Sequence, residues 1–222
     1  MLDVFGYILL SFLWWQFLSA TAISAGYHRY FSHSAFKAPV WFEYFVLLFG
    51  SLAFTGPLLG WVWIHRTHHL HSDTDKDPHS PKYLGFWRTF FVLPGRRSHW
   101  QDQKLSRHHV KGLLKNKRVV FFYRNHKIIR MITFILGVLL LPVEWFLVLI
   151  VSPMIFGYLG FGLLNAVCHK RGIPNNTWWV SIFTAGEGWH KNHHDNTKRI
   201  LNGTKWYHID TGGYVSKLIG CL

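Results

Sequence analysis

Cysteine is nearly absent, with only Cys168 and Cys221 in 222 residues and no CxxC pair. That excludes a disulfide framework and a cysteine-built zinc site, and fits a reducing, cytosol-facing environment. An HExxH pair is also missing, which excludes the common helix-borne zinc protease arrangement. Acids are scarce: ten Asp and Glu stand against 24 Lys and Arg, a formal net charge of +14. Such a balance favours anionic surfaces. With 50% of residues hydrophobic, the expected surface is that of membrane lipids, and no nucleic-acid partner is expected.

Positive charge is itself missing from two stretches. No Lys or Arg precedes Arg29, and none falls within 131–169. A bilayer-crossing helix needs roughly 20 mostly apolar residues, and the stretches 4–25, 40–64 and 132–167 approach that length. The last is interrupted at Pro142-Val143-Glu144, where proline removes a donor and a carboxylate prefers water, so it reads as two spans, 128–141 and 146–168. Ala20-Thr21-Ala22 resembles a leader-peptide cleavage site, but no basic residue precedes it, so the first stretch reads as a retained span. Excess Lys and Arg marks the cytosolic side. The segments 26–127 and 169–222 are therefore expected in the cytosol, with Asp3, Glu144 and the N-terminus on the outside.

Stretch 40–64 is long enough to cross, yet histidine-rich segments flank it on both sides. One crossing would place them on opposite membrane faces, so an interfacial or re-entrant element bent at Gly56-Pro57 is expected. From Lys82 to Arg130 the chain is basic and aromatic, with Asp102 the single acid and Pro94-Gly95 a break. Arg96-Arg97 reads as a face that touches lipid headgroups, with docking of an acidic partner protein the alternative. The expected fold is all-α and membrane-integral: a single unit over 1–222 with three spans, an interfacial helix and a cytosolic helical cap.

Histidine is abundant, with 16 in the chain. His28 and His33 form an HxxxxH box at the cytosolic end of the first span. His65, His68 and His69 form an HxxHH box, and His190, His193 and His194 form another. On a helix, positions i, i+3 and i+4 share a face. Each HxxHH therefore aims three imidazoles at one point, or at two points a few Å apart. His28 and His33, five apart, splay on an ideal α-helix, so they serve different metals or sit where the helix ends. Asn165 and His169, i and i+4 at the cytosolic end of the last span, are functional candidates because polar groups are costly within a membrane.

Zinc takes about three or four protein ligands, so this many imidazoles implies two ions. Imidazole also suits redox-active iron and copper. Ligating histidines usually give their second N–H to a carboxylate or carbonyl; Asp73, Asp75, Asp77, Glu187 and Asp195 are the nearby candidates. His71, His99, His108, His109, His126 and His208 read as structural or surface residues.

The runs Gly26-Tyr27-His28-Arg29-Tyr30-Phe31-Ser32-His33, Trp61 through His69 to Asp77-Pro78-His79, Asn165-Ala166-Val167-Cys168-His169, Gly186-Glu187-Gly188-Trp189-His190 through His194, and Trp206-Tyr207-His208-Ile209-Asp210 resemble the membrane-bound fatty acid desaturases, in particular the delta-9 branch. The resemblance covers about half the chain. It implies two irons held by His28, His33, His65, His68, His69, His169, His190, His193 and His194, with Asn165 acting through a water. It also implies O2 as co-substrate, a long-chain fatty acyl substrate borne on CoA, a carrier protein or a lipid, and two external electrons. The donor is expected to be a separate ferredoxin-like or cytochrome b5-like protein. Trp61, Trp63, Trp189 and Gln16 are candidates for lining the acyl tunnel. The family usually has two spans before the first box where this chain has room for one, and Gly85-Phe86-Trp87-Arg88 lacks a histidine many relatives carry. Hydroxylation of a lipid on the same scaffold, and metal binding without catalysis, are the alternatives.

Overall fold

A computed structural model describes residues 3–53, 55–91 and 108–222. The expected break at Pro94-Gly95, the Arg96-Arg97 face and His99 lie outside the described residues. Among the described residues the fold is helical. Helix α1 runs Val4–Ser32, α2 Val40–Leu52, α3 Leu58–His71, α4 Pro81–Leu84 and α5 Phe86–Phe90. Helix α6 follows at Lys117–Leu140, then α7 at Val143–Cys168, α8 at Trp178–Phe183, α9 at His190–Asp195 and α10 at Thr211–Gly220.

Local chemistry sets most of these boundaries. Asp3 caps α1 by accepting from the Gly6 amide at 2.7 Å, and Asn116 caps α6 through the amides of Arg118 and Val119. Gly56, at φ +84°, lets the chain reverse before Pro57, which precedes the first residue of α3. The stretch 40–64 is thus two helices divided at Gly56-Pro57, and α2, with 13 residues, is shorter than a crossing requires. Pro142 divides α6 from α7.

Among the described residues two helices, α1 and α7, are long and apolar enough to cross a membrane. Where the sequence counted three spans, α6 does not qualify on composition. The part from Lys117 to Arg130 carries Lys117, Arg118, Arg124, Lys127 and Arg130, and only its end, from Met131 to Leu140, is free of charge. Leu139, Leu140, Val143, Val4 and Phe5 are all exposed. Apolar area of this kind is costly against water and favourable against lipid.

The last 14 residues of α1, Ser19–Ser32, are π-helical, as is Leu147–Val151 within α7. The indole N–H of Trp14 donates to the Leu149 carbonyl at 3.1 Å, tying one helix to the π-helical turn of the other. The π segment of α1 is the axis of the molecule: α2, α3 and α10 all pack on it. Packing there is tight enough to demand small residues. A Cβ on Gly26 would meet Val46 at 2.5 Å.

Candidate metal centre

The imidazoles of His28, His33, His65, His69 and His193 converge on one point, and those of His68, His169, His190 and His194 on a second. The two HxxHH boxes divide in opposite senses. In α3 the i, i+4 pair His65 and His69 joins the first cluster and His68 the second. In α9 the i, i+4 pair His190 and His194 joins the second and His193 the first. Each helix therefore lies across both clusters.

His28 and His33 share a cluster, their rings 4.9 Å apart. The π-helix explains it: the His33 amide donates to the His28 carbonyl at 3.2 Å, an i→i+5 bond that stacks residues five apart one turn above each other. An α-helix would have splayed them.

Several Nε2 atoms stand close together: His28 to His193 3.0 Å, His69 to His193 2.9 Å, His33 to His65 2.7 Å, His68 to His194 3.3 Å and His190 to His194 3.2 Å. Nitrogens about 2.1 Å from one ion stand roughly 3.0–3.4 Å apart for octahedral to tetrahedral coordination. Burial, with mutual repulsion of the rings added, pushes His65, His190 and His193 far below the ordinary imidazole pKa and His69 to about 2. Neutral rings with the proton on Nδ1 present lone pairs to one another, an arrangement that a cation between them relieves. His169 Nε2, buried without a partner, aims the same way. The donor set therefore fits a metal pair.

Carboxylates hold the far nitrogens. His28 Nδ1 lies 2.7 Å from Glu187 Oε2, His169 Nδ1 donates to Asp73 at 2.8 Å, and His68 Nδ1 sits 3.0 Å from both oxygens of Asp77. Each fixes a tautomer and a ring orientation, leaving Nε2 for the centre. Asp195 is a correction to the expectation from sequence. It pairs with Lys191 at 2.5 Å on an exposed face, because i, i+4 spacing on the short α9 points it away from the histidines. Asp75 is exposed as well.

Two arginines inside the boxes lock them together. Arg29, 1% exposed, bonds Glu187 and Ser24, donates to Asp210 at 2.9 and 3.1 Å, and to the Ile200 carbonyl at 2.8 Å. Arg66 donates to the carbonyls of Phe31 and Ser32 at 2.8 Å and of His109 at 2.5 Å. It thereby satisfies the carbonyls that α1 leaves unpaired at its C-terminus. Neither role was read from sequence, since the partners lie far away in the chain. His79 was also passed over. It lies 4.6 Å ring to ring from His68 and joins His68 and Asp77 in a further small donor group.

The remaining candidates separate. Trp61 stacks on His65 at 4.9 Å and 18°, against the first cluster. Trp63 packs in the hydrophobic core of α2, α3 and the π segment. Trp189 is buried against His208 and donates its indole N–H to the Ile209 carbonyl at 2.9 Å. Gln16 leaves its Nε2 buried and unpartnered. Asn165 sits half-buried one turn before His169 on α7.

A helical protein with two long apolar helices and two buried imidazole clusters is the class this geometry defines. Residues 4–211 match the fatty acid desaturase family. The chain is 33% identical over 213 residues to the sn-1 stearoyl-lipid 9-desaturase of Anabaena variabilis, covering 90% of this chain and 75% of that protein. It is 31% identical over 216 residues to delta-9 acyl-lipid desaturase 1 of Arabidopsis thaliana, covering 89% and 67%. The sn-1 stearoyl-lipid 9-desaturase of Synechocystis matches at 30% over 229 residues, covering 96% and 69%. The chain belongs to the fatty acid desaturase family and is an oxidoreductase of lipid metabolism.

Proposed function

We propose that this protein is an O2-dependent di-iron desaturase that places a cis double bond at the delta-9 position of a long acyl chain carried on a membrane lipid. The observation that carries the reading is the convergence of nine imidazoles on two adjacent points. The relatives named for acyl-lipid substrates bring the substrate class. His28, His33, His65, His69 and His193 would hold one iron. His68, His169, His190 and His194 would hold the other, with Asn165 reaching it through a water. When bound, the two irons supply the oxidising power to remove hydrogen from unactivated methylenes.

The residues of the chain do the rest. Glu187, Asp77 and Asp73 orient the imidazoles and turn Nε2 toward the centre. Arg29 and Arg66 hold the three boxes in one frame, so that the reaction needs little rearrangement. Trp61, flat against His65, closes the apolar side of the first cluster and excludes water there. Gln16 lies toward the far end of the acyl path. The reaction balances as –CH2–CH2– + O2 + 2e⁻ + 2H⁺ → –CH=CH– + 2H2O, the electrons coming from a separate ferredoxin-like or cytochrome b5-like carrier.

The chain is read as multi-pass, with α1, the apolar end of α6 (128–141) and α7 as crossings, so that the α6–α7 pair leaves and returns to the basic side and both histidine-bearing segments share it. The histidine clusters face the cytosol and the N-terminus lies outside, the orientation that the Lys and Arg distribution supports. Expression with a matched carrier in a desaturase-deficient cell, followed by double-bond localisation in its lipids, tests the reading. A new cis double bond is expected. A product that gains oxygen without losing two hydrogens identifies a hydroxylase and overturns it.

A further inference from the structure

Beyond the two clusters, the C-terminal segment carries an arrangement of rings with a direction. Trp206 is 92% exposed, Tyr207 52%, His208 9% and Trp189 8%. Consecutive rings touch: Trp206 to Tyr207 at 5.5 Å, Tyr207 to His208 at 4.9 Å, and His208 flat on Trp189 at 3.7 Å and 10°. Trp189 is the residue immediately before His190, whose ring belongs to the second cluster. The series is held in place from below. The Thr204 amide donates to His208 Nδ1 at 3.2 Å, and Trp189 donates to the Ile209 carbonyl at 2.9 Å.

We propose that Trp206, Tyr207, His208 and Trp189 form the electron-entry path, and that Trp206 is the contact point for an acidic one-electron carrier protein. The proposal rests on the di-iron reading above. Three observations carry it. A tryptophan left 92% exposed packs on little besides the Tyr207 ring, yet large aromatics dominate binding when a partner buries them. Exposed Lys191, Lys198, Arg199 and Lys205 share the same stretch of chain, with Asp195 the one exposed acid among them. Lys205 Nζ lies 5.5 Å from the Tyr207 ring centroid. That charge balance complements an acidic partner and speeds its encounter. Finally, the rings run without a gap from solvent to a residue covalently joined to a cluster histidine.

Two reduced carriers deliver one electron each per turnover and leave oxidised. The ring residues end each transfer unchanged. The electrons, with two protons and the two substrate hydrogens, reduce dioxygen to two waters.

The test uses the iron-loaded full-length protein in detergent, with a reduced plant-type [2Fe–2S] ferredoxin and reduced soluble cytochrome b5 as the two probes. Dithionite serves as a small reductant that needs no docking surface. Trp206→Ala should raise the KM for the productive carrier about tenfold, and weaken carrier binding to metal-free protein equally, because one central aromatic anchor is lost. Iron content and dithionite-driven oxygen consumption should stay at the wild-type level. His208→Leu should lower carrier-driven kcat without changing carrier affinity, and His208→Phe, which keeps a ring against Trp189, should restore much of it.

Unchanged carrier kinetics in both Trp206→Ala and His208→Leu overturn the proposal. So does a loss shared equally by carrier and dithionite, which marks a structural role, or a wild-type protein that oxidises neither carrier. If Trp206→Ala instead reduces retention on anionic vesicles while carrier KM holds, the segment is a lipid anchor and the path is wrong. Wild-type protein that binds no iron, or consumes no oxygen with dithionite, sinks the di-iron reading itself. That outcome is distinct from failure of the path alone.

Discussion

His28 and Glu187, 159 positions apart in the chain, meet at 2.7 Å between Nδ1 and Oε2, and the other oxygen of Glu187 bonds Arg29 and Ser24. One carboxylate thus orients a cluster imidazole and neutralises a fully buried guanidinium. It joins the first histidine box to the segment that carries the third.

Glu187→Gln keeps the shape and removes the charge. Outer partners of ligating histidines typically contribute a factor of roughly 10–100 in metal affinity, so iron affinity should fall by that factor, with the loss confined to the cluster containing His28. Competitive metal titration measures it. Wild-type affinity in Glu187→Gln would show that the contact does not tune the centre.

His193→Ala and His68→Ala remove one ligand from different clusters. Each should bring bound iron from two per chain toward one and abolish product, while the protein still sediments with membranes. Metal content per chain and lipid product analysis check both. Full activity in either variant would contradict the shared centre. Chelation of the wild-type protein should lower its melting temperature, because the folded chain then holds neutral lone pairs face to face without the cation that relieves them.

The close approach of α5 to α7 gives a steric prediction. A Cβ on Gly162 would meet the Phe90 carbonyl oxygen at 1.9 Å, and a backbone atom cannot rotate away. Gly162→Ala should destabilise the protein by about 1–3 kcal/mol. Gly60→Ala in α3, where the nearest atom is 3.7 Å away, should be neutral or stabilising by up to about 1 kcal/mol. Paired melting curves in detergent decide the contrast.

Glu43 supplies the pH prediction. Burial raises its pKa, but hydrogen bonds from Arg118 at 2.6 Å, Tyr30 at 2.8 Å and Asn116 at 3.1 Å outweigh burial and hold it below 4.5. A carboxyl depressed in the folded state adds stability above its unfolded pKa, and that stability disappears as pH falls through the folded value. Stability should therefore drop on acidification below about pH 4.5, and Glu43→Gln should flatten the drop. Melting temperature against pH for the two proteins measures it; parallel curves would contradict the assignment.

Much of this was written in one dimension. The i, i+3, i+4 spacing of the two HxxHH boxes, the absence of Lys and Arg from the apolar stretches, and the breaks at Pro142 and Gly56-Pro57 follow from local geometry and from the cost of burying charge. That His169 belongs with the boxes came from resemblance, since a lone histidine has no spacing to read. Which imidazole joins which cluster was not legible. The pairing of His28 with His33 depends on a π-helical segment against which α2, α3 and α10 pack. The choice of Asp73, Asp77 and Glu187 over Asp195 depends on where α9 points its outer face. The clamp roles of Arg29 and Arg66 depend on carbonyls and carboxylates far away in sequence. The chain by itself determined which chemical groups are present and how far apart they lie along a helix. Only the tertiary structure decided which of them face one point, because convergence is a property of packed elements.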